Sequence, residues 1–221
     1  AQDASERRLG ITDGLFSMDG TLAPVPALLE VCRRHGAALM VDDAHAIGTV
    51  GRTGRGSVEH FELMGDRPDV LIGTASKALG AEGGVVATSS EVATILRQQA
   101  RPFVYSTSLA PATCAAIVAA IELLESAASP VPALHANVDR LSSALGMNGW
   151  VSPILPIRVG SGAAAMERSS RLADRGFFVP AIRWPTVPRD RAMLRVTVMA
   201  THTFKQIDSL ASELDSGCSD C

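Results

Sequence analysis

Long apolar runs are absent from this 221-residue sequence. No segment approaches the roughly 18 consecutive apolar residues that a helix needs to cross a bilayer. Residues 1–6, Ala-Gln-Asp-Ala-Ser-Glu, also lack the basic-then-apolar order of a signal peptide. We therefore expect a cytoplasmic protein that has no membrane partner.

Clusters of basic side chains are missing as well. Lysine and arginine number 20 against 23 aspartates and glutamates, so the formal net charge is −3. No row of cations is available to neutralise successive phosphates. We expect no nucleic-acid partner.

Cysteine is scarce, with four residues in the chain. Cys32, Cys114, Cys218 and Cys221 are too few and too scattered for a disulfide framework, so we expect reduced thiols. The CxxC pair at Cys218 and Cys221 has no second pair or histidine cluster to complete a metal site. We expect a functionless tail there, and no metal site.

The composition that remains is that of a folded globular protein, with 47% hydrophobic and 19% charged residues. Short apolar runs alternate with longer amphipathic ones, which is typical of an α/β fold with a mostly parallel sheet. The pattern predicts strands over 37–41, 70–73 and 84–87, and helices over 24–35, 90–101 and 111–126.

A break in helical periodicity at 127–132, Ala-Ala-Ser-Pro-Val-Pro, marks the predicted domain boundary. It separates a partial large domain, 1–127, from a small C-terminal α+β domain, 128–221. In the small domain, a first helix is expected to end at Leu145. Further strands are predicted over 154–159, 177–182 and 194–199, and helices over 163–175 and 203–214.

The first stretch that indicates chemistry is the end of the strand over 37–41, where the chain runs into Asp42, Asp43 and His45. Ligands bind at the carboxyl ends of parallel strands. A carboxylate there can keep a pyridine nitrogen protonated, and an imidazole can donate to a phenolic oxygen or stack on the ring. The alternative is that Asp42 or Asp43 caps a helix and that His45 is solvated.

The second stretch, Gly73-Thr74-Ala75-Ser76-Lys77-Ala78-Leu79-Gly80, follows another predicted strand. A positioned lysine amine can form an imine with an aldehyde. Thr74 and Ser76 supply hydroxyls that can bind a phosphate, and the small residues around Lys77 let a cofactor approach the backbone.

Five ordered motifs resemble the α-oxoamine synthases, a family of fold-type I enzymes that use pyridoxal 5'-phosphate (PLP). The motifs are Ser-Met-Asp-Gly at 17–20, Val-Asp-Asp-Ala-His at 41–45, Gly-Arg-Gly at 54–56, the lysine motif at 73–80 and Arg-Pro-Phe-Val-Tyr-Ser-Thr-Ser-Leu at 101–109. The resemblance continues through 181–188 and 194–197, whereas the N-terminal part of the family pattern has no counterpart. It implies the PLP-transferase fold type I, with a partial, mostly parallel sheet.

The resemblance also implies roles for individual residues. Lys77 would bind PLP as an imine, and Asp42 would pair with the pyridine nitrogen. The further contacts it implies are Ser17 and His45 to the ring or its oxygen, Thr74 to the phosphate, Ser106 and Thr107 to the phosphate of a neighbouring subunit, Thr186 to the acyl substrate or the closing segment, and Arg195 to the amino-acid carboxylate.

The implied reaction is a decarboxylating condensation of an amino acid with an acyl thioester by a homodimer. The resemblance is greatest to the biotin-biosynthesis branch, which uses L-alanine and a pimeloyl thioester of coenzyme A or of a carrier protein. Three alternatives stay open: a glycine- or serine-using member of the family, an aminotransferase, and a non-catalytic truncated relative that serves as a subunit.

Overall fold

The computed structural model describes residues 7–215 and divides the chain into two compact units. The first unit consists of Leu22–Ser129 together with the segment that ends at Phe16. The second consists of Ser17–Thr21 together with the segment that begins at Pro130. The assignment of these units as cofactor-binding and small domains stays a prediction. The CxxC pair lies outside the described residues.

The first unit is built on a four-stranded mixed sheet. Its strands are β1 (Leu9–Asp13), β2 (Ala38–Asp42), β3 (Val70–Thr74) and β4 (Gly84–Thr88). They are ordered β1-β2-β3-β4, with β1, β2 and β3 parallel and β4 antiparallel to β3. The predictions of β2, β3 and β4 are confirmed. β1 was not predicted, because two of its apolar side chains, Leu9 and Ile11, lie exposed on an edge strand.

Five helices accompany this sheet: α1 (Val25–Arg34), α2 (Ser57–His60), α3 (Ser90–Gln99), α4 (Arg101–Val104) and α5 (Pro111–Glu125). The apolar face of α1 buries Val25 and Leu29 against Leu39 and Val41 of β2. The helix predicted over 90–101 ends early, because Ala100 is extended and the short helix α4 begins after it. Pro24, predicted in the first helical turn, is the N-cap residue of α1.

Several large apolar side chains of the first unit are exposed. Helix α5 is hydrophobic along its length, yet none of its residues is buried. Val85 and Val86 of β4 are exposed, as are Phe103 and Tyr105, the latter to 80%. A helix that is hydrophobic all round is normally buried, so α5 is suited to contact with further polypeptide.

The second unit packs helices on a three-stranded antiparallel sheet. Its elements are α6 (Val131–Ala144), β5 (Ile154–Gly160), α7 (Gly162–Asp174), β6 (Ala181–Ile182), β7 (Ala192–Thr197) and α8 (Phe204–Asp215). The sheet order is β5-β7-β6, and its core centres on Leu141, Leu155 and Leu194. The strand predicted over 177–182 forms only at its last two residues, since Pro180 has no N–H to donate.

Among residues 7–215, no helix combines the length and the hydrophobicity that spanning a membrane requires.

Candidate active site

Two strands of the first unit end at the same edge of the sheet. Asp42, the last residue of β2, pairs with Ile72, and β3 ends two residues later at Thr74. Because β2 and β3 are parallel, the segments that leave them begin on one side of the sheet. These are the segments that carry His45 and Lys77.

Two glycines let these segments touch. A Cβ on Gly48, whose φ is +79°, would lie 2.5 Å from the Cβ of Ala78, the neighbour of Lys77. A Cβ on Gly73 would lie 2.5 Å from Cδ1 of Ile47. The contact at Gly48 involves the Cβ of Ala78, which cannot turn away, so a glycine is needed there, whereas the end of the Ile47 side chain can turn away from a Cβ at position 73. The turn after Asp42 therefore lies directly against the segment that carries Lys77.

The adjacent carboxylates have different surroundings. Asp42 is half-buried, and its Oδ1 accepts a hydrogen bond from the Ala44 N–H at 2.9 Å. Asp43 is 2% exposed, and its Oδ2 accepts from the backbone N–H of Ser57 at 2.8 Å, at the start of α2. The capping alternative thus applies to Asp43, whereas Asp42 is left at the sheet edge. His45 is half-buried in the intervening turn.

The segment around Lys77 presents hydroxyl groups and little bulk. The Thr74 and Ser76 hydroxyls lie 2.8 Å apart, and Thr74 Oγ1 donates to the Gly83 carbonyl at 3.1 Å. The backbone N–H of Gly80 closes a turn onto the Lys77 carbonyl at 3.0 Å. Lys77 is exposed. This set of groups, an accessible amine beside two hydroxyls, suits a phosphorylated aldehyde.

Ser106 and Thr107 follow helix α4 on the surface. The Ser106 hydroxyl donates to the Pro102 carbonyl. Nearby, the Leu109 side chain packs where Gly83 leaves room for it, with Cδ1 2.8 Å from the position of a Cβ. The segment therefore runs beside the connection between β3 and β4.

The other predicted residues belong to the second unit. Arg195 donates from Nε to the Ser17 carbonyl at 2.7 Å and from Nη1 to Thr197 Oγ1 at 2.9 Å. Burial lowers the pKa of the Arg195 guanidinium from its ordinary value. Nη2 of Arg195 makes no hydrogen bond within residues 7–215, so it is available to a carboxylate. Thr186 lies on a separate turn, where its N–H donates to the Arg183 carbonyl at 3.0 Å.

Sequence reasoning missed two parts of this arrangement. Gly48 was not singled out, although a glycine three residues after His45 is a signal for a turn with positive φ. Asp43 was treated only as an alternative cap, although it is the more deeply buried of the two carboxylates. No group of three or more His, Cys, Asp or Glu side chains in the described part of the chain is arranged to hold a metal ion.

Residues 2–214 match the family described as aminotransferase class I and II. The chain belongs to this family. Among relatives in the class I and II aminotransferase family, 8-amino-7-oxononanoate synthase from Methylococcus capsulatus is 44% identical over 219 residues. That alignment covers 97% of this chain and 57% of the relative.

Solved structures of related enzymes show the same fold. The structure of 8-amino-7-oxononanoate synthase from Francisella tularensis has a TM-score of 0.83 and 25% identity, over 96% of this chain and 63% of its own. A serine palmitoyltransferase with a PLP internal aldimine has a TM-score of 0.86 and 30% identity, over 94% and 54%. The predicted PLP-transferase fold type I and the resemblance to α-oxoamine synthases are confirmed. The chain spans little more than half the length of these relatives.

Proposed function

We propose that this chain is the cofactor-binding and substrate-binding part of an α-oxoamine synthase that binds PLP. The reaction is the condensation of L-alanine with a pimeloyl thioester, with loss of carbon dioxide, in cytoplasmic biotin biosynthesis. The observation that carries the proposal is the direct packing of the turn after Asp42 on the segment of Lys77. The names of the relatives support the choice of reaction.

The groups at this sheet edge match those of PLP one by one. Lys77 offers an amine for the aldehyde, and the Asp42 carboxylate is an acceptor for a protonated pyridine nitrogen. Thr74 and Ser76 offer hydroxyl donors for the phosphate, and His45 offers a donor or a flat ring. When bound, PLP supplies an electron sink that stabilises negative charge on the α-carbon of an amino acid.

Each of the site residues then has its own role in the reaction. Arg195 would pair with the α-carboxylate of the amino acid, and the Lys77 amine would take the α-proton. Asp42 would keep the pyridine nitrogen protonated. A bond forms between the α-carbon and the acyl carbonyl carbon as the thiol leaves. The carboxylate is then lost as carbon dioxide, and a proton takes its place to give an aminoketone. Thr186 contacts the acyl group.

The exposed apolar residues of the first unit support a homodimer. Val118 and Ile121 of α5 are exposed, and so are Phe103 and Tyr105, which come shortly before Ser106 and Thr107 in the chain. We propose that they belong to one dimer surface. Apolar patches of this kind mark protein interfaces. In the proposed homodimer a second copy covers this surface, and the two hydroxyls reach the phosphate in the partner's site.

The chain contains two lysines, Lys77 and Lys205, which makes the attachment site simple to test. Purified protein is mixed with PLP, the imine is reduced with borohydride, and the labelled peptide is identified by mass spectrometry. We expect the label on Lys77, a visible absorbance band in the wild type and in Lys205→Ala, and no such band in Lys77→Ala. Labelling of Lys205, or a band that survives Lys77→Ala, contradicts the proposal.

The substrate is tested separately on the PLP-loaded protein. L-alanine, glycine and L-serine are added in turn while the absorbance band is followed, and then a pimeloyl thioester is supplied. We expect the largest spectral change with L-alanine, followed by release of thiol and carbon dioxide. Formation of a new amino acid without thiol release identifies an aminotransferase instead.

A further inference from the structure

The carboxyl group of Asp43 occupies a closed pocket beside the candidate site. Asp43 is 2% exposed and Ser57 is fully buried. Oδ2 accepts the Ser57 N–H, while Oδ1 and the Ser57 hydroxyl have no hydrogen-bond partner in the described residues. Burial raises the pKa of the Asp43 carboxyl, although the neighbouring Ser57 side chain opposes that rise.

Two glycines shape the pocket around that carboxyl group. A Cβ on Gly14 would lie 1.9 Å from Asp43 Oδ1, and a Cβ on Gly56 would lie 2.3 Å from Oδ2. Both separations are impossible for a real side chain that is held in place. The backbone of Gly14 and the backbone of Gly56 therefore pack directly against the two oxygens of the Asp43 carboxyl group.

The backbone of Asp43 links two further elements. Its N–H donates to the Ile72 carbonyl of β3 at 2.8 Å, which continues the pairing of β2 with β3. Its carbonyl accepts from the N–H groups of Ala46 and Ile47, each at 2.9 Å, which closes the turn that carries His45. One residue thus joins β3, the His45 turn and the start of α2.

We infer that Asp43 is a positioning residue whose side chain, held by Ser57, Gly14 and Gly56, sets the orientation of Asp42 and His45 toward the cofactor ring. The inference rests on the proposed function, since it assumes that the ring binds at this edge. Asp43 itself touches neither cofactor nor substrate. It acts by preventing rotation of the backbone that carries the Asp42 and His45 side chains.

Three variants of the PLP-binding protein separate positioning from general stability. Asp43→Ala removes the hydrogen bond and empties the pocket, whereas Asp43→Asn keeps the shape and an acceptor for Ser57. The matched control is Glu59→Ala. The Glu59 carboxylate holds the neighbouring loop through the Thr53 N–H at 2.9 Å, the Thr53 hydroxyl at 2.8 Å and the Arg55 N–H at 3.1 Å. It makes no hydrogen bond to the His45 turn within residues 7–215.

Two readouts are used: the dissociation constant of PLP, and the NMR titration midpoint of the His45 imidazole in protein without cofactor. We expect Asp43→Ala to weaken PLP binding on the order of 10- to 100-fold and to move the His45 midpoint. Asp43→Asn restores both to near wild-type values, and Glu59→Ala changes neither. If Asp43→Ala does not fold, Asp43→Ser replaces it, because its hydroxyl keeps a polar atom in the pocket.

The inference is overturned if Asp43→Ala resembles Glu59→Ala in both readouts, or if Asp43→Asn is as impaired as Asp43→Ala. Failure of the proposed function is recognised separately. A wild-type protein that does not bind PLP refutes the proposed function, while the His45 titration without cofactor still tests whether Asp43 orients the turn.

Discussion

Gly48 offers the most direct test of the candidate site. Gly48→Ala adds one methyl group between the turn that carries His45 and the segment that carries Lys77. The new Cβ would lie 2.5 Å from the Ala78 Cβ, whereas carbon atoms in contact are roughly 3.5–4.0 Å apart. The two segments must separate by about 1 Å to accept it. The residue also keeps a φ of +79°, which an alanine adopts only with strain.

The cost of this substitution is the sum of two terms. A left-handed backbone costs an alanine about 1–2 kcal/mol. Overpacking by one methyl group costs about 1–3 kcal/mol more. We therefore expect a loss of about 2–5 kcal/mol, which is a large part of the roughly 5–15 kcal/mol that stabilises a typical domain.

Gly36→Ala is the matched control in the same unit. Gly36 has a φ of +60°, but no atom lies within 4 Å of the position of its Cβ. It therefore carries the backbone cost of about 1–2 kcal/mol without the clash. The difference between the two variants isolates the contact between the His45 turn and the Lys77 segment.

The assay must report on the first unit. Both tryptophans, Trp150 and Trp184, belong to the second unit, so their fluorescence does not follow unfolding of the first. Urea unfolding is therefore followed by hydrogen exchange of the amides of β3, and PLP affinity is measured in parallel. We expect Gly48→Ala to weaken PLP binding on the order of 10- to 100-fold, because Lys77 is displaced. If Gly48→Ala costs no more than Gly36→Ala and binds PLP normally, the packing argument is wrong.

Three further outcomes are expected. Arg195→Lys loses the planar fork and the bond to the Ser17 carbonyl, so L-alanine binding should weaken by about 10-fold or more in a spectral titration while PLP affinity stays the same. The raised pKa of Asp43 means that its contribution to stability is present below the ordinary value of 3.8 and is lost as pH rises through the folded value. Urea midpoints should therefore show Asp43→Asn gaining stability relative to the wild type as the pH rises above the ordinary value of 3.8, and a constant difference would contradict this reasoning. Val118→Glu, on the exposed side of α5, should shift the protein toward monomer in analytical ultracentrifugation, and an unchanged sedimentation coefficient would count against the dimer face.

Much of this protein follows from local sequence pattern. Strands β2 and β3 are short apolar runs, and each leads directly into the polar residues of the site. Helix α1 shows apolar side chains at helical spacing. Such features depend on residues that are close in the chain, so periodicity and motif order are enough to predict the elements, the sheet edge and the resemblance to a family.

Contacts between distant residues were decided only by the tertiary structure. The sequence alone does not distinguish the carboxylates of Asp42 and Asp43. Only the structure shows that Asp43 is buried against Gly14, Gly56 and Ser57. The Ser17 carbonyl meets Arg195 across 178 positions of sequence. The edge strand β1 and the shortened strand β6 likewise depend on which neighbours supply hydrogen bonds. A sequence window contains the residue but not its spatial neighbours, and those neighbours determine its burial, its hydrogen bonds and its role.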